Sequence, residues 1–368
     1  MAQAYDVVVI GGGAIGTATA RTLAERGRAT LLLERFEIGH ARGGSGGPTR
    51  IFRLAHEAPQ DVRMARLALD AWRELEDRAD EALLRNTGGV DVGHTLDRIA
   101  EAMEAAGVPF ERITAEAVAE RWPALRPGAG PALVQEDAGV IMAARTIRAQ
   151  ARLATQAGAR IVTNAHVLRL SATGFGVEIE TDDTAYHATI AVVTAGAWTD
   201  RLLDQVGLGL SLVPTLEQVT YFELEEPAPM PVVLDRTAAP APSTYVVPNP
   251  ERPGAFKVGL HHAGPPVDPD DRSEEPDPER ERAVVGYAAE RLAPHRPAGP
   301  SETCLYANTP DGVFVLDRRG PLVLGSACNG HGFKFTPLVG RILADLATAQ
   351  PAPMAIERFL ATRPSLTG

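Results

Sequence analysis

The chain has 368 residues, 45% hydrophobic and 23% charged, with a net charge of −11. These proportions belong to a soluble globular protein long enough for two interlocked domains. The negative balance argues against a nucleic-acid or anionic-membrane surface, and the longest apolar runs, such as VVVIGGGAIG, are too short and glycine-broken to span a bilayer.

The opening MAQAYDVVVIGGG carries no basic leader and passes directly into a strand pattern, which fits a cytoplasmic protein. Residues 5–10 (YDVVVI) read as a fully buried strand. Residues 14–26 read as a helix stopped by Gly27. RATLLLE, ending at Glu34, is a second strand, and HARGGSGGPTRIFR is a glycine-rich loop with basic residues at its far end. Helical periodicity covers about 60–84, followed by mixed strand and helix to about 135. MAARTIRAQARLATQAGARIV gives a helix, a Gly158 stop and a strand. HATIAVVTAGAW is a buried strand running into a turn at Gly196. From about 212 the texture changes to strand pieces (QVTYFEL, STYVVP, AFKVGL) between proline-rich loops, the pattern of an antiparallel sheet. An acidic run, 267–277, reads as a solvated loop leading to a helix with Asp277 as N-cap and Pro278 first. The chain closes with a strand, a glycine-rich turn and a helix.

These segments predict an α/β fold, α+β overall. A discontinuous nucleotide-binding domain with a parallel sheet takes residues 1–80, 140–212 and 305–368. A second domain with a mainly antiparallel sheet takes 81–139 and 213–304.

GGGAIG places Gly11-x-Gly13-x-x-Gly16 between the first strand and helix. Glycines allow the tight turn, close approach of backbone to a pyrophosphate, and close packing of helix on strand. The helix N-terminus offers unpaired N–H groups to phosphates. Glu34, ending the second strand, can accept ribose hydroxyls, and an acid there disfavours a 2′-phosphate. These residues alone leave FAD and NAD both open. The nine histidines show no HExxH or CxxC spacing, so no metal is expected. Cys304 and Cys328 are too few for a disulfide framework. Among 36 Lys plus Arg only Lys257 and Lys334 are lysine. A surface role is therefore a weak explanation for either.

Further along stand TRIFR with Arg50 and Arg53, KVGLHH with Lys257 and His261, TCLYANTPDGVFVLD with Cys304 and Tyr306, and GHGFKF with Lys334. With RWP at 121–123, GAW at 196–198 and the glycine fingerprint, the pattern resembles the monomeric sarcosine oxidase and N-methyltryptophan oxidase group. That group belongs to the glycine/D-amino-acid-oxidase type of FAD amine oxidases. The resemblance runs from residue 5 to 365. It implies FAD, a secondary, N-methylated or cyclic amino acid oxidised at its C–N bond to an imine, dioxygen reduced to hydrogen peroxide, and a monomer.

The resemblance also implies roles. Cys304 matches the site of a thioether to the flavin 8α-methyl, which needs a reactive thiolate. Arg53 and Lys334 match a substrate-carboxylate clamp. Lys257 matches the lysine that promotes oxygen reduction; a compact ammonium suits a small diatomic better than a flat guanidinium. Arg50 lies beside the flavin ring, His261 contacts substrate or assists amine deprotonation, and Tyr245 and Tyr306 form an aromatic wall. The cofactor-binding set carried over is Gly11, Gly13, Ile15, Gly16, Glu34, Arg35, Ser45, Thr49, Arg50, Val167, Gly196, Trp198, Cys304, Gly330, Gly332, Phe333 and Lys334.

Three departures bear on substrate. Gly46 stands where the family loop often has histidine. His56 and Ala58 replace an aromatic and an acidic residue near the entrance. The proline-rich stretch 225–242 is unlike the family loop. They point to a bulkier or cyclic amino acid. The alternatives are a dehydrogenase with a non-oxygen acceptor and a non-catalytic flavin-binding protein.

Overall fold

The computed structural model describes residues 4–238 and 242–367, so residues 1–3 of the opening segment and 239–241 of the proline-rich stretch lie outside the description. Two large sheets organise the chain.

The first sheet has eight strands. Ala4–Ile10 lies at its centre, parallel to Thr30–Leu33 on one side and to Ala185–Val193 on the other. Arg160–Val162 continues the parallel order beyond Thr30–Leu33. The second half of Ala185–Val193 takes Leu322–Ser326 as a further parallel neighbour, while its first half pairs antiparallel with Gly176–Thr181. The stretches Val7–Ile10, Thr30–Leu33 and Ile190–Val193 are buried and, Thr30 apart, apolar, as expected where helices cover both faces of a parallel sheet. Helix Ala14–Glu25 packs between helices Ala143–Gln156 and Thr336–Ala347. A Cβ on Gly340 would stand 2.5 Å from the Ala18 Cβ, so this glycine permits the close helix crossing.

The second sheet has nine strands, ordered His295–Pro297, Val213–Leu224, Ala255–Leu260, Thr244–Pro248, Val232–Arg236, Gly89–Gly93, Ala132–Gln135, Glu111–Ile113, with Glu302–Asn308 pairing the free part of Val213–Leu224. Every pair is antiparallel except Val232–Arg236 with Gly89–Gly93. A small antiparallel sheet of Thr49–Phe52, Gly139–Met142 and Leu84–Asn86 lies between the two.

Two expectations are corrected. The helix expected over 60–84 is Pro59–Ala79. It ends where Asp80 takes a left-handed φ of 52°, and the Glu76 carboxylate then accepts the Leu83 and Leu84 N–H groups at 2.7 and 2.8 Å. That carboxylate ties down the turn and releases Leu84–Asn86 as a strand. The acidic run is not simply solvated. Asp270 accepts hydrogen bonds from Arg35 at 2.6 Å and from Trp198 Nε1 at 2.8 Å, and both Asp268 and Asp270 bind Arg201. Beyond it, the Asp277 side chain caps helix Pro278–Arg291 by accepting the Glu279 N–H at 2.8 Å. Among the described residues no helix is long and apolar enough to cross a membrane.

Candidate active site

A cavity of about 830 Å³ is lined from both large sheets and the small one. Every residue given a catalytic, substrate-binding or cofactor-binding role from the sequence lines it except Gly16.

At the end formed by the first sheet, Gly11 has φ +101°, and a Cβ there would stand 2.5 Å from the Thr194 carbonyl oxygen. Gly16 acts by packing: its Cβ would fall 1.8 Å from the Gly11 carbonyl oxygen. Only glycine lets the helix start so close to the strand. Gly13 is the N-cap of Ala14–Glu25 and supplies no side-chain cap. The Ala14 N–H donates to Ser45 Oγ at 3.0 Å, and the start of the helix faces the cavity. Glu34 is buried. It accepts the Gly12 N–H at 2.6 Å and the Phe36 N–H at 2.8 Å, and lies 3.3 Å from His40 Nε2. Burial pushes its carboxyl up, but His40 and the two backbone donors outweigh this and hold it below the usual range. Arg35 lies over the rings of Phe36 and Trp198 at 5.2 and 5.8 Å; Val167 and Gly196 complete this end. A cradle that any Cβ would fill, an open helix start and an ionised acid together fit a dinucleotide.

The opposite end is built by the second sheet over the small one. Arg50 donates to the carbonyls of Gly44, Gly46 and Thr49, and lies 5.7 Å from the Phe333 ring. Lys257 pairs in register with Tyr221, is 5% exposed, and donates from Nζ to the Thr49 carbonyl at 2.7 Å. Burial, reinforced by Arg50, lowers its pKa to about 7, with Cys304 and Glu302 opposing. Cys304 pairs in register with Glu217. Burial pushes its thiol up, and the pull of Arg50 and Lys257 does not offset this. The expected thiolate is therefore not pre-formed in this pocket. Cys328, also lining the cavity, accepts the Ala307 N–H at 3.4 Å.

Tyr306 follows Cys304 by two and meets the His261 ring edge-on at 5.7 Å, its hydroxyl 3.5 Å from His261 Nδ1. A Cβ on Gly330 would lie 2.3 Å from Tyr306 and 2.7 Å from His261. The GHGFKF turn thus packs directly against this pair. Tyr245 lies across Gly259, where a Cβ would stand 2.4 Å from its hydroxyl. Burial raises the pKa of both phenols. It also drops His261 to about 3, helped by His262, Lys334 and Arg53. That imidazole is neutral and a weak base.

Arg53 and Lys334 face the same chamber. Arg53 Nη1 is closed off from solvent and has no hydrogen-bond partner, with Asp91 at 3.9 Å. Burial lowers its pKa to about 10, against the pull of Asp91. Lys334 donates from Nζ to the His331 carbonyl at 2.6 Å, and burial, then Arg53, push its ammonium well down. Among the described residues no carboxylate is hydrogen-bonded to either cation. Burial disfavours the charged form of both groups, and an anion in the chamber would restore it.

Sequence reading missed the frame behind Arg53. Asp91 is buried and accepts from Arg236 at 2.9 Å and from Gln135 at 3.0 Å. Gln135 in turn accepts the Leu54 and Ala55 N–H groups at 2.8 Å each, fixing the backbone just after Arg53. The available signal was an acid between valines in VDVG, where alternation puts a charge on a strand flanked by core. Tyr221, Glu302 and His331 were also missed as cavity residues. Of the departures, Gly46, His56 and Ala58 all line the cavity. No group of side chains suited to a metal occurs among the described residues.

Comparison with known proteins agrees with this geometry. The chain is 32% identical to mouse peroxisomal sarcosine oxidase over 96% of each chain. It is 30% identical to monomeric sarcosine oxidase of Bacillus sp. strain B-0618, over 100% of this chain and 98% of that protein. Among solved structures, NikD, described as an unusual amino acid oxidase essential for nikkomycin biosynthesis, superposes with a TM-score of 0.88 at 29% identity over 97% of each chain. The family model for FAD dependent oxidoreductases matches residues 6–346, and the chain is a member of that FAD-dependent oxidoreductase family.

Proposed function

We propose that this enzyme oxidises the C–N bond of a secondary, N-methylated or cyclic amino acid to an imine and passes the electrons to dioxygen, giving hydrogen peroxide. The observation that carries the reading is the Arg53–Lys334 pair, two buried cations with no hydrogen-bonded carboxylate of their own, facing the chamber that Lys257, Cys304 and Tyr306 also line. Arg53 and Lys334 hold the substrate carboxylate. Tyr245, Tyr306 and His261 form the wall that orients the amine and excludes water. His261, being a weak base, contacts substrate rather than taking its proton. Bound FAD supplies the two-electron acceptor. Lys257 presents a compact positive charge to dioxygen in a dry site. The substrate loses two electrons and two protons, and dioxygen gains both pairs.

The first sheet is the FAD domain and the second roofs the substrate, with the enzyme acting as a cytoplasmic monomer. The description of NikD as an unusual amino acid oxidase, with His56 and Ala58 in the cavity lining, supports a bulkier or cyclic substrate over sarcosine itself. Peroxide formed in step with amine consumed is the expected result. Flavin reduction without peroxide would assign a different electron acceptor.

Two further expectations arise here. Replacing Gly16 with alanine forces a Cβ to 1.8 Å from a backbone oxygen, and that oxygen cannot swing away. Overpacking of this kind costs about 1–3 kcal/mol or more. The purified variant should have lost most of its flavin absorbance; full flavin content would contradict the cradle. Cys304 is the attachment point for a thioether to the flavin. Burial raises its thiol against the pull of Arg50 and Lys257, so attachment requires loss of the thiol proton. Acid-denatured wild-type protein should carry the flavin mass and Cys304→Ala should not; wild type without added mass would refute the link.

A further inference from the structure

We propose that Glu302, held in place by Tyr221, is the counter-charge that keeps Lys257 protonated, and so acts as a positioning residue for the oxygen step. This rests on the role given to Lys257 above.

Three neighbouring strands make the arrangement. Lys257 on Ala255–Leu260 faces Tyr221 on Val213–Leu224 in register. Tyr221 reaches diagonally to Glu302 on Glu302–Asn308, its hydroxyl donating to Glu302 Oε2 at 2.6 Å. Glu302 itself pairs with Val219, two residues before Tyr221. Lys257, Tyr221 and Glu302 all line the cavity.

The groups facing Lys257 act in opposite senses. Arg50, from Thr49–Phe52, works against its charge; Cys304 and Glu302, from the third strand, favour it. Tyr221 and Tyr245 are phenols whose pKa is raised by burial, so both are neutral. The Cys304 thiol is raised as well and carries no charge to offer. Lys257 donates to a neutral carbonyl, that of Thr49. Among the groups that favour its charge, Glu302 is therefore the one carboxylate. It is an exposed residue, so solvent weakens the coupling. The hydrogen bond from the half-buried Tyr221 ties Glu302 to the strand beside Lys257, on the cavity lining.

Because Lys257 and Lys334 are the two lysines of the sequence, the test can read Lys257 directly. Holoenzyme grown with lysine carbon-13 labelled at Cε gives two side-chain signals, and Lys334→Arg assigns them. In Glu302→Gln the Lys257 titration midpoint is expected to move to lower pH by roughly half a unit or more. Tyr221→Phe, which frees the carboxylate without removing it, should move it the same way by less. A midpoint unchanged or raised in Glu302→Gln overturns the proposal, and so does a Tyr221→Phe shift exceeding that of Glu302→Gln. Reoxidation kinetics of Lys257→Met separate the two claims. Unchanged kinetics there would remove the oxygen role of Lys257 while leaving the titration result standing. Slowed kinetics with an unmoved midpoint would remove Glu302 alone.

Discussion

Replacing Arg53 with methionine is expected to raise the Michaelis constant for an amino-acid substrate at least tenfold, about 1.4 kcal/mol. The direction follows from what the pocket lacks. Burial disfavours the charged form of both Arg53 and Lys334, Arg53 adds to the effect on Lys334, and neither has a hydrogen-bonded acid. On the proposed function a substrate carboxylate would supply the missing negative charge and make charge-assisted hydrogen bonds with both. Lys334→Met should act in the same direction. Its ammonium also bonds the His331 carbonyl, so thermal melting should accompany the kinetics to separate binding from folding. Asp91, Arg236 and Gln135 hold the chain around Arg53, so methionine there should leave the fold intact. An unchanged Michaelis constant would remove the clamp.

The second large effect belongs to Lys257. Replacement by methionine should slow reoxidation of reduced enzyme by dioxygen about 10²–10³-fold, the cost of losing one preorganised electrostatic group, while anaerobic reduction by substrate changes little. The same residue sets a pH dependence. Burial and Arg50 bring its pKa to about 7. The charged form exists below that value, so the oxygen step should be fastest on the acid side and fall as pH rises through about 7. Stopped-flow reoxidation between about pH 6 and 9 reads the fall. Equal slowing of both half-reactions in Lys257→Met, or a flat profile in wild type, would contradict the role.

The legible parts of the site were those whose chemistry is local in sequence. Gly11, Gly13 and Gly16 with Glu34 specify a turn, a helix start and an acid at the end of the second strand within one strand–helix–strand unit, and the structure brings these residues together at one end of the cavity. Lys257 and Lys334 stood out by rarity, and both prove buried. The frame behind Arg53 was not legible. Asp91, Gln135 and Arg236 come from three strands brought side by side only by the sheet. Tyr221 and Glu302 meet the same way, 81 residues apart. The acidic run misled for a related reason. Asp268 and Asp270 look solvated until Arg35, Trp198 and Arg201 arrive from two distant stretches of the chain. The helix end at Ala79 was hidden because Glu76 ties the turn through a side chain, leaving the apolar periodicity unbroken. Protonation was the other hidden layer. Nothing local in TCLY says that burial raises the Cys304 thiol, nor in KVGLHH that it drops His261 to about 3.

On the proposed function, the chamber binds an amino acid by its carboxylate and takes electrons from its C–N bond. Anaerobic stopped-flow mixing of the flavin-loaded enzyme with a panel of N-methyl, cyclic and D-amino acids, each paired with its carboxamide, tests it most directly. The expected result is bleaching of the flavin by at least one secondary or cyclic amino acid, and at least tenfold weaker apparent binding of its amide, the discrimination two cations give a carboxylate. Bleaching by acid and amide at equal concentration dependence would contradict the clamp, and no bleaching by any member of the panel would contradict the function.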